Sequence, residues 1–281
     1  MPDRPLLAAV MGYPVLHSRS PLMHNHWFAE MGLPGSYVPL LIEPGKLGPA
    51  LRALHPLGFA GCNLTIPHKQ EAMGIVDEVD EVARRIGAIS CVVVREDGTL
   101  FGTNNDWRGF LGNLHDTAPD WRADAGPAAV IGAGGGARAV VHALLSEGAP
   151  ELRLVNRTRA RAETLAAEFG EGVRVLPWEG RAEALDGVAT VVNTTSQGMQ
   201  GMPPLDLPLD HLPRAALAAD IVYTPLETPF LATAKARGNA TVGGLGMLLH
   251  QGPPAWKLWF GLEPKVTPEL RRKMEASVLG R

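Results

Sequence analysis

The sequence predicts an α/β protein of two domains, each built on a mostly parallel sheet. Apolar strand-like runs alternate with helical patterns along the whole chain. The stretch "HDTAPDWRADAGP" interrupts that series with a loop composition. Beyond it, "AAVIGAGGGARAVVHALLSEGA" opens a second series with a strand, a glycine turn and a helix, and 281 residues suffice for two medium domains.

Leu6–Val10 reads as the first strand. Pro21 suits the first helical position after it, with Ser20 as N-cap, Met23, Trp27 and Met31 on one face and Gly32 as terminator. Ser36–Ile42 is the second strand, Leu47, Leu51 and Leu54 mark a helix, and Phe59–Leu64 is the third strand, stopping at Thr65 and Pro67. Glu78–Ile86 reads as helical. Ala88–Val94 and Thr99–Gly102 flank "REDG", whose Asp97-Gly98 pair signals a hairpin. Trp107–His115 is helical.

In the second series Ala137, Val140, Val141, Leu144 and Leu145 share one helix face. "ELRLVNRT" is the next strand, and Ala162, Leu165, Ala166 and Phe169 form the face of the helix after it. "GVATVVNTTS" and "ALAADIVYTP" are two further strands. Helical segments near Met247–Leu249, Trp256–Phe260 and Pro268–Val278 close the chain, and periodicity alone does not say which domain they join.

The composition excludes several classes. Hydrophobic residues at 46%, charged residues at 20% and a net charge of −3 describe an ordinary globular protein with no field for nucleic acid or anionic membrane. No apolar run is long enough to span a bilayer, and the start, "MPDRPLLAAVMGYP", is too short in apolar residues for a secretory signal. Cys62 and Cys91 lie in strand-like segments and read as buried free thiols of a reducing cytoplasm. His24 and His26, two apart, point to different helix faces, so no metal is expected.

The glycine turn carries chemistry. Gly132, Gly134 and Ala137 match G-x-G-x-x-[GA] between a strand and an amphipathic helix, the context of a Rossmann-type dinucleotide site. Gly132 permits the turn, Gly134 and the adjacent Gly135 admit a pyrophosphate, and the helix N-terminus offers free amides. An NAD site wants a carboxylate roughly 20 residues on. Here the next strand ends Asn156, Arg157, Thr158, Arg159 and Arg161, without a carboxylate. Guanidinium forks at the positive end of a helix suit a 2′-phosphate, which makes NADP the expected cofactor.

The segments "GYPVLHSRSP", "NLTIPHK", "IGAIS", "GTNNDWRGF", "IGAGGGARA", "NRTRAR", "NTTSQGM", "DIVYTPLETP" and "GLGMLLHQG" together resemble the shikimate dehydrogenase family over nearly the whole chain. The resemblance implies NADP-dependent, reversible reduction of 3-dehydroshikimate to shikimate. It also implies a substrate domain of residues 1–107 and 245–281, whose final helices return to it, and an NADP-binding domain of residues 108–244. Lys69 and Asp106 match the family's catalytic pair, on which a carbonyl oxygen gaining charge depends for its proton. An Asp near a Lys favours the ammonium, and Asp106 also suits the N-cap of the helix at Trp107. Ser18, Ser20, Thr65, Tyr223 and Gln251 match substrate-binding positions. Thr195, Ser196, Gly244 and Met247 match positions along the cofactor, though Met247 also suits plain core.

Two departures stand out. Where the family usually reads "GAxNT" this chain reads "GAISC", which puts Ser90, with shorter reach, at a substrate-hydroxyl position. Pro253 and Pro254 fall where the family continues a helix from Gln251, so the helix either restarts or kinks. The expected partner is a small hydroxylated ring carboxylate, with a homodimer left open. Alternatives are a quinate-preferring relative, a non-catalytic NADP or metabolite sensor on the same fold, and a folate-type methylene dehydrogenase, which fits the serine pair and "NRTRAR" less well.

Overall fold

The computed structural model describes residues 5–280. The charged start Met1–Arg4 and Arg281, both inside the expected domain ranges, lie outside the described residues. The first stretch runs β1 (Leu6–Gly12), α1 (Ser20–Glu30), β2 (Gly35–Leu41), α2 (Leu47–Ala53), β3 (Phe59–Leu64), β4 (Glu78–Val79), α3 (Glu81–Ile86), β5 (Cys91–Val94) and β6 (Leu100–Thr103). These strands form one sheet in the order β2-β1-β3-β5-β6-β4. β1 pairs parallel with β2 and β3, and β4 with β6, while β5 runs antiparallel to β3 and β6. Side chains alternate across β1. Ala9 and Met11 face a core with Leu47, Leu51, Leu54, Cys62 and Ile89, as the leucine spacing of α2 requires.

The second stretch runs α4 (Asp106–Thr117), β7 (Ala128–Ile131), α5 (Gly135–Ser146), β8 (Leu152–Val155), α6 (Arg159–Phe169), β9 (Val173–Leu176), β10 (Thr190–Asn193), β11 (Leu217–Asp220), α7 (Pro229–Ala236), β12 (Ala240–Val242) and α8 (Leu245–His250). Its sheet is parallel throughout, in the order β12-β11-β10-β7-β8-β9. Read from β9, this is the Rossmann order, reversing direction between β7 and β10. All four β7 residues are buried, with Ala128 and Val130 in one core and Ala129 and Ile131 in the other. Helical or loop cover on both faces explains so apolar a strand.

The chain ends with α9 (Gly252–Phe260) and α10 (Pro268–Val278). Residues up to Asn105 with Leu248–Ser277 form one compact unit, and Asp106–Met247 the core of the other. Helix α9 is locked to the first unit by aromatic packing. The Trp256 indole Nε1–H donates to His24 Nδ1 at 2.7 Å, and the Trp259 Nε1–H donates to the Val92 carbonyl at 2.9 Å. His24 stacks on Tyr37 at 4.0 Å between ring centroids. Among the described residues no helix is long and apolar enough to cross a membrane. Cys62 and Cys91 are buried, and burial pushes the Cys62 thiol up.

The structure corrects several local expectations. Glu78–Ile86 is not one helix. Glu78–Val79 pair with β6, and Asp80 caps α3 by accepting the Ala83 N–H at 2.6 Å. Ser20 is not the N-cap of α1. Arg19 holds that position, and the Ser18 hydroxyl accepts the Ser20 N–H at 3.3 Å. Met31 lies past the last turn and is exposed, unlike Met23 and Trp27. Asp106 is the first residue of α4. The paired prolines start a new helix: α8 ends at His250, and Pro253 and Pro254 occupy the first turn of α9, where absent N–H groups cost nothing. Strands β9 and β12 and helix α7 had no clear signal, the strands being four and three residues long.

His24 gives the first unit a pH dependence. Burial lowers its pKa from 6.5 to about 3, so the folded chain holds it neutral while the unfolded chain protonates it below 6.5. Its stabilisation is complete above pH 6.5 and is lost as pH falls from 6.5 toward 3, by about 1.4 kcal/mol per pH unit. Urea unfolding between pH 7 and pH 5 is expected to show this slope, and His24→Gln to flatten it. An unchanged slope in the variant would place the pH dependence elsewhere.

Candidate active site

In the first sheet, register brings four chain segments to one edge. Met11 pairs with Leu64, Asn63 with Cys91 and Cys91 with Thr103. The residues after β1, after β3, before β5 and after β6 therefore leave the sheet at the same end. They carry Ser18 and Ser20, Thr65 and Lys69, Ser90, and Asn104 and Asn105. Gln251 lies at the junction of α8 and α9.

The segment bearing Lys69 is fixed through its main chain. Thr65 N–H donates to the Met11 carbonyl at 3.0 Å, and Ile89 N–H donates to the Lys69 carbonyl at 2.8 Å. The neighbouring His68 is fully buried, with Nε2 at 2.8 Å from the Ile42 carbonyl and Nδ1 at 3.3 Å from Glu71. Lys69 itself is half-buried. Its main chain is tied to the segment before β5.

Ser90 does something the sequence did not suggest. Its hydroxyl accepts the Asn105 main-chain N–H at 2.9 Å, and Asn104 Nδ2 donates to the Ala88 carbonyl at 2.9 Å. These two bonds clamp the connection after β6, which leads directly to Asp106, a buried carboxylate in the first turn of α4. The helix dipole favours a carboxylate there. Asn63 is also tied down. Its Oδ1 accepts from the Tyr37 hydroxyl at 2.7 Å and its Nδ2 donates to the Ser90 carbonyl at 3.2 Å. Burial raises the Tyr37 phenol well above the ordinary range. Asn105 differs. It is 2% exposed, yet its Nδ2 has no partner among the described residues, a cost of about 1–3 kcal/mol.

The second unit gathers its candidates at the C-terminal ends of parallel strands: Gly132, Gly134, Gly135 and Ala137 after β7, Asn156 to Arg161 after β8, Thr195 and Ser196 after β10, Tyr223 after β11, Gly244 and Met247 after β12. Gly132 has φ +115°, and a Cβ there would lie 2.6 Å from Thr194 Oγ1. Gly134 is the N-cap of α5, and a Cβ on it would meet nothing within 4 Å. A tight turn beside open space at a helix N-terminus fits a pyrophosphate. At Gly244 a Cβ would strike the Ile221 carbonyl at 2.3 Å, so the position admits glycine alone. Met247 is half-buried against the core that includes Phe110 and Val140.

After β8, Asn156 Nδ2 donates to the Thr158 carbonyl at 2.8 Å and shapes the turn. Arg159 pairs with Glu163 at 2.7 Å, while exposed Arg157 and Arg161 have no ion pair among the described residues. Two uncommitted guanidinium groups and no carboxylate fit NADP. Thr195 is held by Asn193, whose Oδ1 accepts its N–H at 3.0 Å and its hydroxyl at 2.8 Å. Asn193 Nδ2 in turn donates to Asp220 at 3.1 Å. Asp220 also accepts from Val222 N–H at 2.9 Å and the Thr228 hydroxyl at 2.7 Å. Burial raises its carboxyl to about 6, against the pull of these donors. Sequence reasoning missed Asn63, Asn105, Asn193 and Asp220. Asn193 and Asp220 end adjacent strands, which is the one signal that could have found them. No group of three or more metal-ligating side chains occurs among the described residues.

Residues 10–92 match the family described as the shikimate dehydrogenase substrate binding domain, and residues 121–202 match shikimate / quinate 5-dehydrogenase. The shikimate dehydrogenase (NADP(+)) of Paramagnetospirillum magneticum is 54% identical over 271 residues, 96% of this chain and 98% of the relative. The fold is similar to that of shikimate 5-dehydrogenase from Thermus thermophilus, solved in complex with NADP(H) and shikimate, at TM-score 0.86 and 40% identity, covering 97% of this chain and 99% of that one. It is also similar to quinate dehydrogenase from Corynebacterium glutamicum in complex with NAD, at TM-score 0.89 and 31% identity, covering 99% of both chains.

Asp220→Ala would leave the Asn193 amide, the Val222 N–H and the Thr228 hydroxyl without their shared acceptor. We expect a loss of about 3 kcal/mol in urea unfolding, and weaker binding of NADP by titration because Asn193 no longer holds Thr195. Unchanged NADP affinity would show that this network supports the fold alone.

Proposed function

Because the chain belongs to the shikimate dehydrogenase family, we propose that it catalyses the reversible, NADP-dependent reduction of 3-dehydroshikimate to shikimate. The observation that carries the reading is the gathering of Ser18, Ser20, Thr65, Lys69 and Ser90 at one edge of the first sheet, on main chain that is fixed there. NADP, when bound, supplies the nicotinamide between which and the substrate carbon a hydride moves. Gly132 to Ala137 cradle its phosphates, Arg157 and Arg161 hold its 2′-phosphate, and Asn156, Thr158, Thr195, Ser196, Gly244 and Met247 line its path.

This chain's residues do the rest. Ser18, Ser20 and Tyr223 bind the substrate carboxylate, and Thr65 and Gln251 orient the ring. Lys69 and Asp106 serve the carbonyl oxygen that becomes a hydroxyl. An ammonium stabilises the charge that develops on that oxygen, and the pair exchanges the proton with it. Ser90 acts mainly on the chain, by holding the connection to Asp106. Quinate is a second reading, favoured by the likeness to the quinate dehydrogenase. A cytoplasmic location accords with two buried cysteine thiols. Light scattering distinguishes the monomer from a homodimer.

Purified protein mixed with NADP or NAD and with shikimate or quinate is expected to form reduced nicotinamide, followed by absorbance, fastest with NADP and shikimate. No turnover with any pair would sink the dehydrogenase reading. Lys69→Ala is expected to lower kcat by about 1,000-fold with a much smaller change in KM. A variant altered only in KM would make Lys69 a binding residue. Arg157→Ala and Arg161→Ala are each expected to lower kcat/KM for NADP about tenfold or more and leave NAD unaffected. Equal losses with both cofactors would remove the 2′-phosphate assignment.

A further inference from the structure

At the end of the first sheet, three asparagines lie within a few residues of Lys69 or Asp106. Two are committed. Asn63 is bonded at both ends, to Tyr37 and to the Ser90 carbonyl, and Asn104 Nδ2 is bonded to the Ala88 carbonyl. The third, Asn105, donates its main-chain N–H to the Ser90 hydroxyl. Its Nδ2 is buried without an acceptor among the described residues. A folded chain rarely leaves an amide donor in that condition, and an unmet donor at a site is satisfied when a ligand brings an oxygen.

Ser90 stands at the position from which an asparagine would address a substrate hydroxyl. Its own hydroxyl already serves the Asn105 main chain and lacks the reach of an amide. The two facts are complementary. We propose that Asn105 is a specificity-determining residue, whose side-chain amide donates to a ring hydroxyl of the substrate in place of the amide absent at position 90. The Ser90 bond to the Asn105 main chain is what holds that amide at the site. The proposal rests on the shikimate dehydrogenase reading above and adds to it the residue that recognises one hydroxyl.

The test is steady-state kinetics with NADP and either shikimate or its monodeoxy analogues that keep the reacting carbinol, on the full chain, Asn105→Ala and Asn105→Ser, with thermal unfolding run on each. Both variants are expected to unfold near the wild-type temperature. Each should raise KM for shikimate by about tenfold and change kcat by less than about threefold. For one monodeoxy analogue, wild type and variants should share the same KM, because the hydroxyl that Asn105 addresses is gone. The double variant Ser90→Asn/Asn105→Ala should recover part of the lost shikimate affinity by returning an amide to position 90. An active wild type whose variants keep KM within about twofold, or lose equally on shikimate and every analogue, overturns the role of Asn105 alone. A wild type inactive on shikimate overturns the proposed function and this inference with it.

Discussion

A single buried hydrogen bond, from the Trp256 indole to His24 Nδ1, organises the first unit. It ties a helix from the end of the chain to one from its beginning, 232 residues apart. The bond requires an unprotonated nitrogen, and burial ensures it by making the charged imidazole costly. Contacts then pass stepwise to the site. His24 stacks on Tyr37, Tyr37 donates to Asn63, and Asn63 donates to the Ser90 carbonyl. Ser90 in turn accepts from Asn105. Asn63, Ser90 and Asn105 are thus held by a buried relay whose far end is helix α9. That relay gives the return of α9 a mechanical purpose beyond covering apolar surface.

The second unit meets the same problem with a different device. Its candidate residues sit on loops after parallel strands, where an open sheet offers ligand sites at the reversal of strand order. Loops need fixing, and the fixing comes from the strand ends. Asn193 and Asp220 close β10 and β11 side by side, and between them they hold the loops bearing Thr195 and Val222. A carboxylate surrounded by donors costs desolvation but specifies one arrangement of both loops. Gly132 and Gly244 complete the arrangement by admitting the Thr194 side chain and the Ile221 main chain where a Cβ would collide.

Much of this was legible in one dimension. Leu47, Leu51 and Leu54 are all buried, as their spacing required, and the Asp97-Gly98 hairpin joins β5 to β6. The glycine turn begins α5 with Gly134 as its cap. Legibility failed where a tertiary partner outweighed local pattern. Glu78 and Val79 look helical but pair with β6, and Asp80 is worth more as a cap than as a helical residue. Short β9 and β12 exist because neighbouring strands offer them hydrogen-bond partners.

The sequence by itself determined the fold class, the family and the cofactor type. Those properties reside in residue type and near spacing, such as an arginine cluster without a carboxylate after a glycine turn. The tertiary structure decided which polar groups are already committed. Ser90 read as a shortened substrate ligand, and the fold makes it an acceptor for Asn105. Asn105 read as one letter in a motif, and the fold leaves its Nδ2 without an acceptor among the described residues. A hydrogen bond joining positions 15 residues apart is set by sheet register, which no local pattern encodes.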